Sequence, residues 1–198
     1  NAFGLEIELW QIGDSPIAPK FNVVSQPNDW ARTVKDAASA GGLTDHKQLQ
    51  LKFWTAFRAY MEEKGSFVKC QKPAPHHWNN QAIGRSGVHL TSIISSWNSV
   101  TNSWNPETRA ELYMDGPHAK QEFAALEMRK DAIEQALGFP LTWYNSEKND
   151  TCRLFVRQDA DFMNESLWPS QFEWLRVHLE KMHRVLGPIV KELKHTED

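Results

Sequence analysis

A chain of 198 residues that is 40% apolar and 24% charged, with nine tryptophans, has the composition of a folded globular protein able to bury one good core. A net charge of −3 and a pI near 6.3 exclude a uniformly basic nucleic-acid binder but leave room for a local patch. Cys70 and Cys152 make neither a disulfide framework nor a metal cluster, and no secretory leader or membrane-length apolar run is present, so a reducing cytoplasmic setting is expected.

Asn1 and Ala2 read as a cleavage scar. Residues 3–12 set Leu5, Ile7 and Leu9 against Glu6 and Glu8, the period-2 pattern of a half-buried strand. No turn or cap comes before it, so its neighbours are expected upstream and the chain reads as a piece of a longer protein. Residues 13–19 are turn-rich, 21–24 extend briefly, and Gln26-Pro27-Asn28-Asp29-Trp30 breaks any regular element. The Ala-, Gly-, Thr- and Lys-rich stretch 31–44 reads as a linker.

Thr44 or Asp45 then caps a helix to about Lys64, with Leu49, Phe53, Trp54, Phe57, Tyr60 and Met61 at helical spacing and Gly65 as its stop. Residues 67–70 suggest a short strand, and Pro73 and Pro75 make 72–78 a loop. Strands over 87–97 and 108–114 form a hairpin across a polar turn at 98–107. Residues 118–137 form one helix through Phe123, Leu126, Met128, Lys130, Ile133 and Leu137, stopped by Gly138. A second hairpin joins 141–144 to 151–157 through the Asn-, Ser- and Asp-rich turn 145–150. Ser170 and Glu173, with Pro169 near the first turn, suggest a capping box opening a helix through Lys194. Gly187-Pro188 should kink that helix. The expected fold is one α+β domain over 45–195, a largely antiparallel sheet packed against helices with a long C-terminal helix.

Arg109 and Glu111 share one face of their strand, while Lys120, Lys130 and Glu134 lie on the following helix, the last two spaced i, i+4. One reading is a surface ion-pair set that tightens packing. The sharper one is a phosphate-facing patch of Arg109, Lys120, Arg129 and Lys130. Trp54, Trp143 and Trp174 occupy core-type positions, whereas Trp78, Trp97 and Trp104 lie in or near loops and are candidates for base stacking or partner binding. His76, His77, His89 and His118 lack ligand spacing, so no metal site is expected; Gly84-Arg85-Ser86-Gly87 reads as a turn, not a phosphate loop. A nuclease of the PD-(D/E)xK kind needs an Asp and an acidic-x-Lys set on adjacent strands to hold Mg²⁺ and activate water. Residues 87–97 contain no Asp, and Tyr113 stands where Glu111 would need a lysine partner.

Several segments together carry a family resemblance. They are Phe53-Trp54 with Tyr60, Arg109 to Tyr113 (RAELY), Lys120 to Leu126 (KQEFAAL), Lys130, Ile133-Glu134, Leu137-Gly138, Leu141, Trp143, Trp168 and Trp174. On these, residues 48–193 resemble the bacterial family known only as domain of unknown function 4268. Members typically place this domain C-terminal to a half that looks like a restriction-endonuclease-type nuclease. Residues 3–30, with Ile12-Gly13-Asp14-Ser15 and Pro27-Asn28-Asp29-Trp30, are similar to the joining region, so 1–30 would be the final strand and tail of the nuclease-like half. The resemblance implies a non-catalytic accessory domain for DNA engagement, target sensing or self-association, in defence against foreign DNA. It implies no cofactor in this piece, Mg²⁺ only in the nuclease-like half, and DNA, that half or a second copy as partners, with no membrane. The alternatives are a dimerisation or structural domain without nucleic-acid contact, built on the C-terminal helix, and a degenerate or active PD-(D/E)xK nuclease.

Overall fold

The computed structural model describes residues 4–10, 18–25, 44–98 and 103–193. The chain divides into two compact units, Asn1–Gln48 and Leu49–Asp198. In the first, β1 (Gly4–Trp10) and β2 (Ala18–Ser25) form an antiparallel ribbon with Ile7 opposite Phe21. One partner of β1 thus stands downstream, and Ala18 and Pro19, in the stretch expected as turn, belong to the returning strand. The rest of that turn, the break at 26–30 and the linker up to residue 43 fall outside the described residues.

Helix α1 (Asp45–Glu63) starts where Thr44 Oγ1 accepts from the Lys47 amide at 3.4 Å. It stops in a Schellman arrangement: Ser66 N–H reaches the Met61 carbonyl, Gly65 N–H reaches Glu62, and Gly65 takes φ +64°. Residues 67–70 form no strand, because only Cys70 makes a single bridge, to Gln81. The sheet comprises β3 (Trp78–Arg85), β4 (Val88–Asn98), β5 (Ser103–Met114), β6 (Thr142–Asn145) and β7 (Cys152–Asp159), in the order β3-β4-β5-β7-β6 with every neighbour antiparallel. Two features depart from the sequence reading. β3 went unrecognised, and β5 begins at Ser103, so part of the expected polar turn is strand.

The single helix expected over 118–137 is two, α2 (Ala119–Glu127) and α3 (Lys130–Leu137). Arg129 leaves helical geometry at φ −108° and its amide bonds three residues back to Leu126, while Met128 at the break is 84% exposed. Gly138, at φ +76°, stops α3 as expected. A 3₁₀ turn (Glu165–Leu167) capped by Asn164 leads into α4 (Trp168–Glu192). No capping box forms there, since Ser170 is already inside the helix and its hydroxyl donates to the Leu167 carbonyl at 2.8 Å. The helix continues through Pro188.

All four helices feed one core on one face of the sheet. Phe53, Trp54 and Phe57 of α1, Phe123 and Leu126 of α2, Ile133 of α3, and Phe172, Leu175, Leu179, Met182 and Leu186 of α4 meet Leu90, Ile94, Leu112, Met114 and Leu154. Phe53 touches Trp54, Trp168 and Phe172 edge-on at 4.9 to 5.2 Å between ring centres, the favoured quadrupole arrangement. Arg85 fastens one end. It donates to Glu122 at 2.7 Å and to the Leu193 and Val190 carbonyls at 2.8 and 3.3 Å, so a cation meets the negative end of α4. Among the described residues no helix is long and apolar enough to cross a membrane.

Candidate nucleic-acid interface

Strand alternation divides the side chains of β4, β5 and β7 between two faces. Leu90, Ile94, Ala110, Leu112, Met114 and Leu154 enter the core under the helices. The other parity carries His89, Thr91, Ile93, Glu107, Arg109, Glu111, Tyr113, Arg153, Phe155 and Arg157, with Trp78 and Asn80 from β3 and Tyr144 from β6. Ile93 and Phe155 are buried yet stand outside the helix-side core cluster, which marks this as a separate surface of the sheet.

Along β5 this second face holds a ladder of charge. Glu107 is fully buried and meets Arg109 Nε at 3.2 Å and Arg157 Nε at 2.5 Å. Arg157 also reaches Asp159 at 2.7 Å, and Arg109 Nη1 lies 3.8 Å from Glu111 Oε2. That last pair is an ion pair beyond hydrogen-bond reach, and burial pushes the Glu111 carboxyl above its ordinary range against the pull of Arg109 and Arg153. The guanidiniums lie over aromatic rings as well: Arg109 sits 5.2 Å from the Phe155 ring centre and Arg153 4.7 Å from that of Tyr144. Arg109 and Glu111 are thus buried neighbours, and Glu107 and Arg157 complete a set that sequence spacing did not reveal.

The other cations stand elsewhere. Lys120 lies on α2, on the helix side, and donates to Asn145 Oδ1 at 2.6 Å and to the Ser146 carbonyl, tying α2 to the end of β6. Arg129 and Lys130 are exposed at the break between α2 and α3. Lys130 and Glu134 do not form the ion pair their spacing suggests. The Lys130 ammonium lies 5.8 Å over Trp143, and Glu134 accepts from Trp143 Nε1 at 2.8 Å and from the Leu141 amide at 3.0 Å, bonds that lower its carboxyl pKa. The structure therefore does not bring Arg109, Lys120, Arg129 and Lys130 onto one face.

Of the candidate tryptophans, Trp78 is half-buried in β3, its ring 4.9 Å from that of His76. Trp97 and Trp104 are 46% and 74% exposed and stand directly opposite each other across β4 and β5. A bulge makes this pairing. From Ser95↔Glu107 to Trp97↔Trp104, β4 advances two residues and β5 three, so Trp104 rather than Asn105 comes opposite Trp97. Pro106, which has no amide to give the ladder, falls in the extra turn of chain.

Glu111 is engaged by Arg109; Tyr113, in the lysine position of an acidic-x-Lys set, packs 5.3 Å from the His89 ring. Among the described residues no group of three or more His, Cys, Asp and Glu could hold a metal ion. Both cysteines are free, and burial pushes the Cys70 thiol up to about 12, which makes it an inert packed group.

No curated protein and no solved structure matches the chain. The model of a family described as a domain of unknown function (DUF4268) matches residues 49–190, which run from the second turn of α1 across all five strands of the larger sheet to Val190 of α4. With well over half of its length matched, this chain belongs to the DUF4268 family.

Proposed function

We propose that this chain is a non-catalytic accessory domain that engages DNA for a nuclease-like half of the same protein. The observation that carries the reading is the exposed pair Trp97 and Trp104, presented side by side at the end of the β4–β5 hairpin. Two large aromatic side chains left in water lose the transfer free energy they would gain inside, so their exposure suits a surface that a partner covers. The nuclease-like context follows from the family resemblance. Self-association through the C-terminal helix has less support, because its apolar stripe, Phe172, Leu175, Leu179, Met182 and Leu186, is spent on the core. Along one flank of that helix Arg176 bonds to Glu173 and Glu180 at 2.7 and 3.0 Å, and Glu173 also accepts from Tyr60 of α1.

The test is fluorescence anisotropy with labelled duplex and single-stranded oligonucleotides, with the mass of the protein in solution measured alongside. Saturable binding by a defined species supports the reading. A stable dimer that binds neither oligonucleotide overturns it in favour of an assembly domain.

A further inference from the structure

We infer that Trp97 and Trp104 form a stacking platform for unpaired bases, so that the ligand of this domain is single-stranded or locally opened DNA; this rests on the DNA-engaging reading above. Three observations on the hairpin support it. The two indoles are the exposed members of a cross-strand pair, and every base offers a π-face to such a ring whatever its sequence.

The backbone that carries the pair is also held in place before any ligand arrives. Ser95 Oγ accepts from the Trp97 amide at 3.0 Å and donates to the Trp97 carbonyl at 2.8 Å, which fixes the backbone on one side. On the other side, Asn105 donates to Asp159 at 3.2 Å and the Pro106 carbonyl accepts from the Ala160 amide at 3.0 Å, anchoring the Trp104 segment to the end of β7. Binding then has the indole side chains, and not their backbone, left to order at these two residues.

The third observation is charge. In the sheet register the charged residues nearest the pair are Glu107, Arg109, Arg157 and Asp159, and their charges cancel through the ion pairs already described. These four residues carry no net charge between them and offer a duplex backbone little attraction, because phosphate contact draws on cations that are not already committed. The aromatic faces are what this end of the sheet offers, and in a closed duplex the faces of the bases are stacked on one another. Binding should therefore depend on bases more than on phosphates and fall only shallowly with salt.

The experiment uses the full chain and three labelled probes of equal length: oligothymidylate, an abasic deoxyribose-phosphate strand of the same charge, and a blunt duplex. Each is titrated at two salt concentrations by anisotropy. Oligothymidylate should bind, and the abasic strand and the duplex should each bind at least tenfold more weakly. Trp97→Ala and Trp104→Ala, each checked for an unchanged fold by circular dichroism, should each lose roughly tenfold to a hundredfold in affinity for oligothymidylate. If the abasic strand and the duplex bind as tightly as oligothymidylate, or the variants bind as the parent does, the stacking inference is overturned while DNA engagement stands. If none of the probes binds, DNA engagement itself fails and the inference falls with it.

Discussion

Replacing Glu107 with alanine should destabilise the helix–sheet unit more than any surface charge deletion, and the structure gives the size of the effect. Glu107 is fully buried between Arg109 and Arg157, whose side chains are 8% and 27% exposed. Breaking a buried ion pair from one side costs about 3–5 kcal/mol, because the remaining charge stays desolvated without its counterion. Here the two guanidiniums fare differently. Arg157 keeps Asp159 at 2.7 Å and part of its hydration, whereas the more deeply buried Arg109 stands 3.8 Å from Glu111, beyond hydrogen-bond reach. The loss should sit near the lower limit, about 3 kcal/mol. For a unit of this size that lowers Tm by roughly 6–12 °C. The assay is urea unfolding followed by tryptophan fluorescence, with Glu165→Ala as control, since Glu165 pairs with Lys52 at the surface where such bridges contribute about 0–1 kcal/mol. If Glu107→Ala costs no more than Glu165→Ala, the ladder on the second sheet face is not holding the strands together.

Other perturbations have equally definite outcomes. Gly87→Ala should cost about 2–4 kcal/mol by urea unfolding, since Gly87 sits at φ +73° and a Cβ there would lie 2.6 Å from Gly116 Cα, combining backbone strain with overpacking. Arg85→Met should release the last turn of α4, seen as faster amide hydrogen exchange near Val190 with α1 unaffected. Glu111 has a raised carboxyl pKa in the folded state, so the stability it contributes is present below the ordinary carboxylate range and is lost as pH rises through the folded value. Glu111→Gln should therefore raise the midpoint of thermal unfolding at neutral pH and flatten its decline across the weakly acidic range. Glu173 behaves oppositely. Hydrogen bonds from Arg176 and Tyr60 hold it down at about 2, so its contribution is present above the ordinary carboxylate range and fades as pH falls towards that value. Glu173→Gln should flatten the acid limb of the same profile.

What the sequence disclosed followed the apolar periodicities. The α1 stripe of Phe53, Trp54, Phe57 and Met61 and the α4 stripe of Phe172, Leu175, Leu179 and Met182 enter the core, and both helices run close to the expected bounds. β3 escaped because its core-side positions are amides. Asn79 and Gln81 are buried there, with Gln81 Nε2 donating to the Asn79 carbonyl, Asn79 Oδ1 and Ser92 Oγ, so no apolar alternation announces the strand. The break between α2 and α3 was hidden by Met128, counted as an inward residue but pointing to solvent. At the candidate interface, Arg109 and Glu111 were readable as strand neighbours. Their partners were not, because Arg157 comes from a strand distant in sequence and Glu107 looked like part of a turn. The pairing of Trp97 with Trp104 depends on a bulge, a register feature that residue spacing alone does not specify.

The most direct test of the account is to photocrosslink a thiouridine-substituted single-stranded oligodeoxynucleotide to the full chain and map the attached peptide by mass spectrometry. The account predicts attachment at the β4–β5 hairpin, on Trp97 or Trp104, and loss of the product in the Trp97→Ala/Trp104→Ala double variant. Attachment confined to the outer face of α4, or to Arg129 and Lys130 at the α2–α3 break, would contradict it.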